Sequence, residues 1–325
     1  MKPRVLALCG GVGGAKLALG LTHVVPAEAL AILVNTGDDF EHLGLHISPD
    51  VDTVTYTLGG ISNAAQGWGI EGESWAFMDQ LRRLGGEDWF QLGDRDLALH
   101  VERTRRLRAG ESLTAVTADV SARLGVAARI LPMSDDPIRT EVDTDEGLLP
   151  FQRYFVGRRA EPAMRAIHYR GAETAIPNET AMAALSDPAL EAVILCPSNP
   201  WLSIAPLLAM PDLRAALAAT TAPVVAVAPI VAGQAIKGPT AKLMREMGLA
   251  VSADTVAHYY HGLIDGYMLD TADAELGETI EAQGIAVNIG PTVMTDLPSR
   301  ITLAERAIRF AGTLPNSRDA PCPGH

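Results

Sequence analysis

Short unbroken apolar runs alternate along this chain with clusters of glycine, proline, serine and aspartate, and that alternation predicts a parallel α/β sheet. Arg4 to Cys9 is a β-type run that ends in glycines, Ala15 to His23 carries helical periodicity, and Ala29 to Asn35 is a second apolar run. Strand, helix and strand at this spacing imply a right-handed crossover. Ala192 to Cys196 and Pro223 to Ala228 read as further buried strands, each followed by polar or glycine-containing residues and then helical patterning. Ser74 to Leu124 reads as wholly helical, with Trp75, Met78 and Leu81 on one face and most of its arginines elsewhere. Residues of about 126 to 176 are more extended in character and predict a small mixed sheet before the parallel pattern resumes near Leu190. The expected architecture is a Rossmann-like parallel sheet with helices on both faces. It forms a single domain over residues 1–312, with a helical and mixed insertion at about 60–175. The tail from Thr313, with Pro315, Pro321 and Pro323, lacks apolar periodicity and is expected to be disordered.

Composition narrows the partners. The chain has 325 residues, 48% of them hydrophobic, so it can bury a sizeable core. Its net charge of −13 argues against a nucleic-acid backbone or an anionic membrane as main partner, so any phosphate must be held locally. Cys9, Cys196 and Cys322 are odd in number and far apart, which argues against a disulfide framework or zinc cluster and fits a reducing compartment. The apolar run Val5 to Cys9 is too short for a signal-peptide core, and the longest apolar stretch, Ala222 to Ala232, is broken by Pro223 and Pro229. A cytoplasmic protein is expected.

The candidate chemistry lies in the loops at strand ends. Gly10, Gly11, Val12, Gly13, Gly14, Ala15 and Lys16 form a strand-to-helix turn where absent side chains let backbone N–H groups approach an anion at the positive end of a helix. The spacing fits neither a Walker loop nor the dinucleotide fingerprint. Asn35, Thr36, Gly37, Asp38 and Asp39 end the second strand, and Ser48, Pro49, Asp50, Val51, Asp52 and Thr53 follow. Ligands of α/β sheets sit at the carboxyl ends of strands, so both acidic loops should face the crevice of the glycine loop. Asp50 and Asp52 flank one residue and, in an extended or turn segment, point the same way. Carboxylates beside a phosphate suit Mg²⁺, although the same residues also serve as ordinary N-terminal helix residues.

Four further loops carry the reading. Gly93, Asp94, Arg95 and Asp96 offer a guanidinium for paired bonds, although taken alone they read better as a helix cap with a surface ion pair. Met133, Ser134, Asp135 and Asp136 lie between prolines in a rigid acidic loop or plain turn. Pro197, Ser198, Asn199 and Pro200, and the stretch Pro229 to Lys242 with Gly233, Lys237, Gly238 and Thr240, can present N–H groups, hydroxyls and an amide to a nucleotide. His42 with His46, and His258 with His261, lack an acidic third ligand for zinc. No GxSxG elbow or Cys–His arrangement supports covalent catalysis.

With these residues in view, the chain resembles the 2-phospho-L-lactate transferase family of coenzyme F-420 (deazaflavin) biosynthesis, whose bacterial members are phosphoenolpyruvate transferases. The resemblance runs in order through GGVGGAK, NTGDD, SPDVDT, GWGIE, LGDRDLA, ILPMSDDP, QRYFV, PSNP and APIVAGQAIKGPTAK, over about residues 5 to 245. It implies a Rossmann-like core with a deazaflavin-binding insertion, a guanosine diphosphate ester donor, Mg²⁺ and a homodimer. The implied reaction is attack by the terminal ribityl hydroxyl of the deazaflavin Fo on the β-phosphorus of the donor, releasing GMP. It further implies Asp50 and Arg95 at the deazaflavin, with Asp94, Ser134 and Asp135 beside them, and Asp50 and Asp52 where cation and hydroxyl meet. Gly11, Val12, Gly13, Gly14, Lys16, Asn35, Ser198, Asn199, Pro200 and Gly238 would hold the nucleotide and its phosphates.

Two other readings share the glycine loop. A nucleotide-sugar-binding regulator of the gluconeogenesis-factor type resembles the chain around that loop and the acidic loop after the second strand, but lacks the SPDVD and GDRD blocks in this form. A nicotinamide-dependent dehydrogenase is disfavoured by the failed fingerprint spacing.

Overall fold

The structure, a computed structural model, describes residues 2–63, 65–236 and 238–315. Lys237 lies outside the described residues, and so does the tail beyond residue 315.

Seven parallel strands make the central sheet. In chain order the strands of the molecule are β1 (Val5–Cys9), β2 (Leu30–Val34), β3 (Phe40–His42), β4 (Leu45–Ile47), β5 (Arg129–Pro132), β6 (Arg139–Thr144), β7 (Gly147–Pro150) and β8 (Met164–Arg170). They continue with β9 (Ala192–Leu195), β10 (Val224–Val227), β11 (Ile230–Val231), β12 (Gln234–Ala235), β13 (Gly266–Leu269) and β14 (Ala286–Ile289). The central sheet has the order β14-β13-β10-β9-β1-β2-β5. The strands β1, β2, β9, β10 and β13 are buried along their whole length because both faces are covered. Along β1, Leu6 and Leu8 enter one core while Val5, Ala7 and Cys9 enter the other. The chain winds outward from β1 through β2 to β5, then returns to start again at β9 on the opposite side of β1. That reversal makes β1 and β9 the topological switch point, where the two following connections diverge to opposite faces and leave a crevice.

Helix α1 (Gly11–Val24) leaves β1 and begins inside the glycine run, four residues before the predicted start at Ala15. Glycine carries no apolar periodicity, so the pattern could not announce that first turn. α1 packs against α2 (Pro49–Leu58) and against the helix Leu297–Ala311, which covers the same face. The approach to Leu297–Ala311 is close: a Cβ on Gly20 would run into the carbonyl of Arg300.

The segment expected to be wholly helical is three helices with loops between them: α3 (Ala76–Arg83), α4 (Asp94–Arg108) and α5 (Leu113–Arg123). Gly85 and Gly110 adopt φ of +75° and +92° just beyond α3 and α4, left-handed positions that end each helix. The predicted mixed sheet is a three-stranded antiparallel sheet with β6 between β7 and β8, but Arg129–Pro132, expected to belong with it, pairs in parallel with β2 as the edge of the central sheet. Main-sheet pairing is decided by a partner about a hundred residues away, which local composition does not encode. The structure adds β13 and β14, which the apolar pattern does not predict; β14 carries Asn288 within its four residues and is not fully buried at any of them. Among the described residues no single helix is long and apolar enough to cross a membrane.

Replacing Gly20 by Ala should separate α1 from the covering helix and cost about 1–3 kcal/mol of unfolding free energy, measured by urea denaturation.

Candidate active site

A cavity of about 560 Å³ opens at the switch point, lined by the glycine loop after β1, the Pro197–Asn199 loop after β9, and the start of α2. Glycine is required because three segments meet there. A Cβ on Gly10 would strike the carboxylate of Asp50 and the side chain of Ser203, and one on Gly13 would strike the carbonyl of Pro197. Gly11 takes φ +60°, and its N–H donates to Asp50 Oδ1 at 2.7 Å. Ser198 Oγ donates to the carbonyl of Gly10 at 2.9 Å and accepts from its N–H at 3.2 Å. Lys16 lines the cavity and donates to the carbonyl of Met294 at 3.1 Å. The N-terminal turn of α1 thus faces the cavity with amides and a lysine, an arrangement suited to a diphosphate.

Two buried carboxylates share the amide of Asn35. Asn35 Nδ2 donates to Asp50 Oδ2 at 2.9 Å, to Asp38 Oδ1 at 3.1 Å and to the carbonyl of Leu202 at 3.2 Å, three acceptors for two hydrogens. Gln152 Nε2 donates to the other oxygen of Asp38 at 3.1 Å. Neither acid has an ion-pair partner among the described residues. Burial raises the pKa of Asp50 to about 6, against the opposing hydrogen bonds from Asn35 and Gly11. Burial, followed by the charges of Asp50 and Asp39, raises Asp38 well above the ordinary carboxylate range. Asp39, behind them, receives Ser48 Oγ at 2.7 Å and His46 Nε2 at 3.1 Å on one oxygen, while its other oxygen is buried without a hydrogen-bond partner.

The structure separates Asp50 from Asp52. Both lie in the first turn of α2, and two residues on a helix are about 200° apart, so they cannot share a face as an extended segment would allow. Asp50 faces the cavity. Asp52 points the other way to a bidentate bond with Arg103 of α4, both side chains buried. His100, Asp96 and Tyr56 complete this network, with Tyr56 Oη donating to Asp96 at 2.5 Å. Asp52, Asp96 and His100 converge closely enough for a metal, yet Arg103 already neutralises Asp52, so the cluster reads as an ion-pair network tying α4 to α2.

Several other predicted residues are not on the cavity wall. Asp94 accepts from Ser74 Oγ and from the N–H groups of Ala76 and Phe77, which caps the start of α3 and holds its pKa down. Arg95 is on the exposed side and donates to the carbonyl of Glu71 at 3.0 Å. Ser134 donates to the carbonyl of Ile176, and Asp135 accepts the N–H of Thr114, so both brace the exit of β5. Pro200 is buried at the start of a wide helical turn capped by Asn199, whose amide also donates to Thr240 Oγ1 at 3.0 Å. Gly14 lies beneath the loop against Cys9. Gly11, Val12, Gly13, Lys16, Asp50, Ser198, Asn199 and Gly238 do line the cavity.

The sequence reading missed the aromatic end. Trp68, Phe90, Phe151 and Phe155 line the cavity away from the glycine loop, with the rings of Phe151 and Phe155 stacked 5.5 Å apart. The GWGIE and QRYFV blocks, which hold Trp68 and Phe155, were the available signal, but nothing in their local pattern says that an insertion loop and a helical turn so far apart in the chain meet.

Fold and site together define a doubly wound α/β protein whose crevice combines a glycine-rich helix start with buried acids. The chain belongs to the CofD family: the family model described as 2-phospho-L-lactate transferase CofD matches residues 5–293. A phosphoenolpyruvate transferase of Streptomyces griseus is 40% identical over 95% of this chain and 98% of its own. A 2-phospho-L-lactate transferase of Methanosarcina mazei is 36% identical over 94% of this chain and 99% of its own. Among solved structures, a UPF0052 family member from Bacillus halodurans shares the fold with a TM-score of 0.60 at 14% identity, over 95% of this chain and 99% of its own.

Replacing Arg103 by Met strands Asp52 as a buried unpaired charge and is expected to cost about 3–5 kcal/mol in denaturant unfolding, with much of the loss recovered on adding Asp52→Asn. Asp50 gives a pH signature. Its folded pKa lies above its unfolded value of 3.8, so its contribution to stability is full below that value and is lost as pH rises through about 6. At pH 7 the ionised group costs the fold about 3 kcal/mol. The stability of Asp50→Asn relative to the unsubstituted protein is therefore expected to improve by up to that amount between pH 4 and pH 7, since its altered bond to Asn35 is common to both conditions.

Proposed function

We propose that this chain transfers the phospho-hydroxyacid group (2-phospholactate, phosphoenolpyruvate or phosphoglycerate) of a guanosine diphosphate ester to the terminal ribityl hydroxyl of the deazaflavin Fo. GMP is released, and the step belongs to coenzyme F-420 biosynthesis, in a cytoplasmic homodimer. The observation that carries this reading is the convergence of the glycine loop and the acids Asp38 and Asp50 on one cavity whose far end is aromatic. The polar end suits a nucleoside diphosphate and the apolar end a planar tricycle.

In the reaction the hydroxyl oxygen bonds to the β-phosphorus while the bond to the bridging oxygen of GMP breaks. Such a transfer needs chiefly positioning and charge neutralisation. The first amides of α1 and Lys16 hold the diphosphate, Asn199 with Thr240 and Gly238 lines the nucleoside side, and Phe151 and Phe155 seat the acceptor ring. Asp50, held at about 6, is ionised at neutral pH and matched to accept the hydroxyl proton. Asp38 and Asp50, two oxygen-bearing acids without an ion-pair partner among the described residues, fit Mg²⁺ better than the Asp50 and Asp52 pair, whose second member is spent on Arg103. A bound Mg²⁺ would supply charge neutralisation for the diphosphate.

Mass spectrometry of the product formed from Fo with each donor, with and without Mg²⁺, tests the reading, and absence of product with every donor overturns it. Asp50→Asn is expected to lower kcat by about 10²–10⁴-fold while Fo still titrates spectrally. Phe155→Ala should raise KM for Fo and leave that for the donor unchanged.

A further inference from the structure

A second cavity of about 330 Å³ adjoins the first and shares three of its wall residues, Asp38, Phe151 and Gln152. Its remaining wall includes the β3 strand, Trp89, and the arginines Arg139, Arg153 and Arg170. We propose that this chamber receives the small carboxylic acid carried on the donor's β-phosphorus, and that Arg139 recognises its carboxylate. The inference rests on the transfer reading above and deepens it.

Three substituents meet at the reacting phosphorus: the nucleotide side, the incoming hydroxyl and the acid that travels with the phosphoryl group. The two ends of the first cavity take the first two. The acid needs a branch that opens beside the reacting centre, and the second cavity does so, since Asp38 borders both spaces and Gln152, bound to Asp38, stands between them. Its size suits a three-carbon acid with water.

The charges on its wall single out one arginine. Arg153 is paired with Glu87, with its guanidinium 4.1 Å from the ring centre of Trp89, and Arg170 is paired with Glu141. Arg139 is half-buried, donates to the carbonyl of Ile138 at 2.8 Å, and makes no ion pair among the described residues. Of the remaining acids, Asp39 is bound by Ser48 and His46, Glu41 is exposed, and Asp38 faces both cavities. A half-buried guanidinium without an anion, in a chamber joined to a phosphate site, matches a carboxylate that arrives with the substrate.

GDP, which lacks the acid, separates this role from diphosphate binding. Calorimetric titration of the intact protein with GDP and with GDP esterified by lactate reads the acid's contribution as the ratio of the two affinities. Arg139→Gln is expected to weaken ester binding about 10- to 100-fold and leave GDP binding unchanged. Arg139→Lys, which keeps the charge and loses the planar fork, should fall between. An unchanged ester affinity overturns the proposal, and an equal loss for both ligands does too, because Arg139 would then act on the diphosphate. A melting temperature near that of the unsubstituted protein guards the Gln variant, and the Lys variant decides the matter if Gln does not fold. Transfer from the ester to Fo by the unsubstituted protein is measured alongside, so a failure of the activity is distinguished from a failure of the acid chamber.

Discussion

The contact on which the site depends is the bond from the Gly11 N–H to the Asp50 carboxylate. It joins the end of β1 to the first turn of α2 and places a buried acid at the glycine-rich start of α1. It also fixes Gly10 as glycine, because a side chain there would occupy the space of that carboxylate. Asn35 holds the other oxygen of Asp50 together with Asp38, so two acids that repel each other are kept side by side by one amide. Their burial disfavours the charged forms and so costs stability once they ionise.

The scaffold supports that contact from two directions. The switch point of the sheet sets the glycine loop against Ser198, whose hydroxyl grips both the N–H and the carbonyl of Gly10. On the far side of α2, the Asp52–Arg103 pair ties the helix to α4 and so to the insertion that supplies Trp68 and Phe90. The glycine-loop end and the aromatic end of the cavity are thereby anchored to the same short helix. Asp52 serves the site by orienting α2 rather than by facing its ligand.

Most of the scaffold was legible in the chain because a doubly covered parallel strand is a continuous apolar run bounded by turn residues. β1, β2, β9 and β10 announce themselves in that way, and the glycine loop and the Pro197–Asn199 loop follow directly at their ends. β5 did not, since its place beside β2 depends on a partner far along the chain, and β14 did not, since Asn288 interrupts its apolar run. The first turn of α1 was hidden by its own glycines.

What the sequence determined by itself was the set of chemical groups and the end of the sheet at which they gather: an anion-binding turn, acids after β2, a polar loop after β9. Tertiary structure decided which acids act together. Asp50 and Asp52 differ by two positions, and helical rather than extended backbone turned them apart, giving Asp50 to the cavity with Asp38 and Asp52 to Arg103. It likewise set Arg95, Ser134 and Asp135 on bracing contacts and brought Phe90 and Phe155 to one wall. The direction of a side chain depends on backbone geometry and long-range packing, and residue order carries neither.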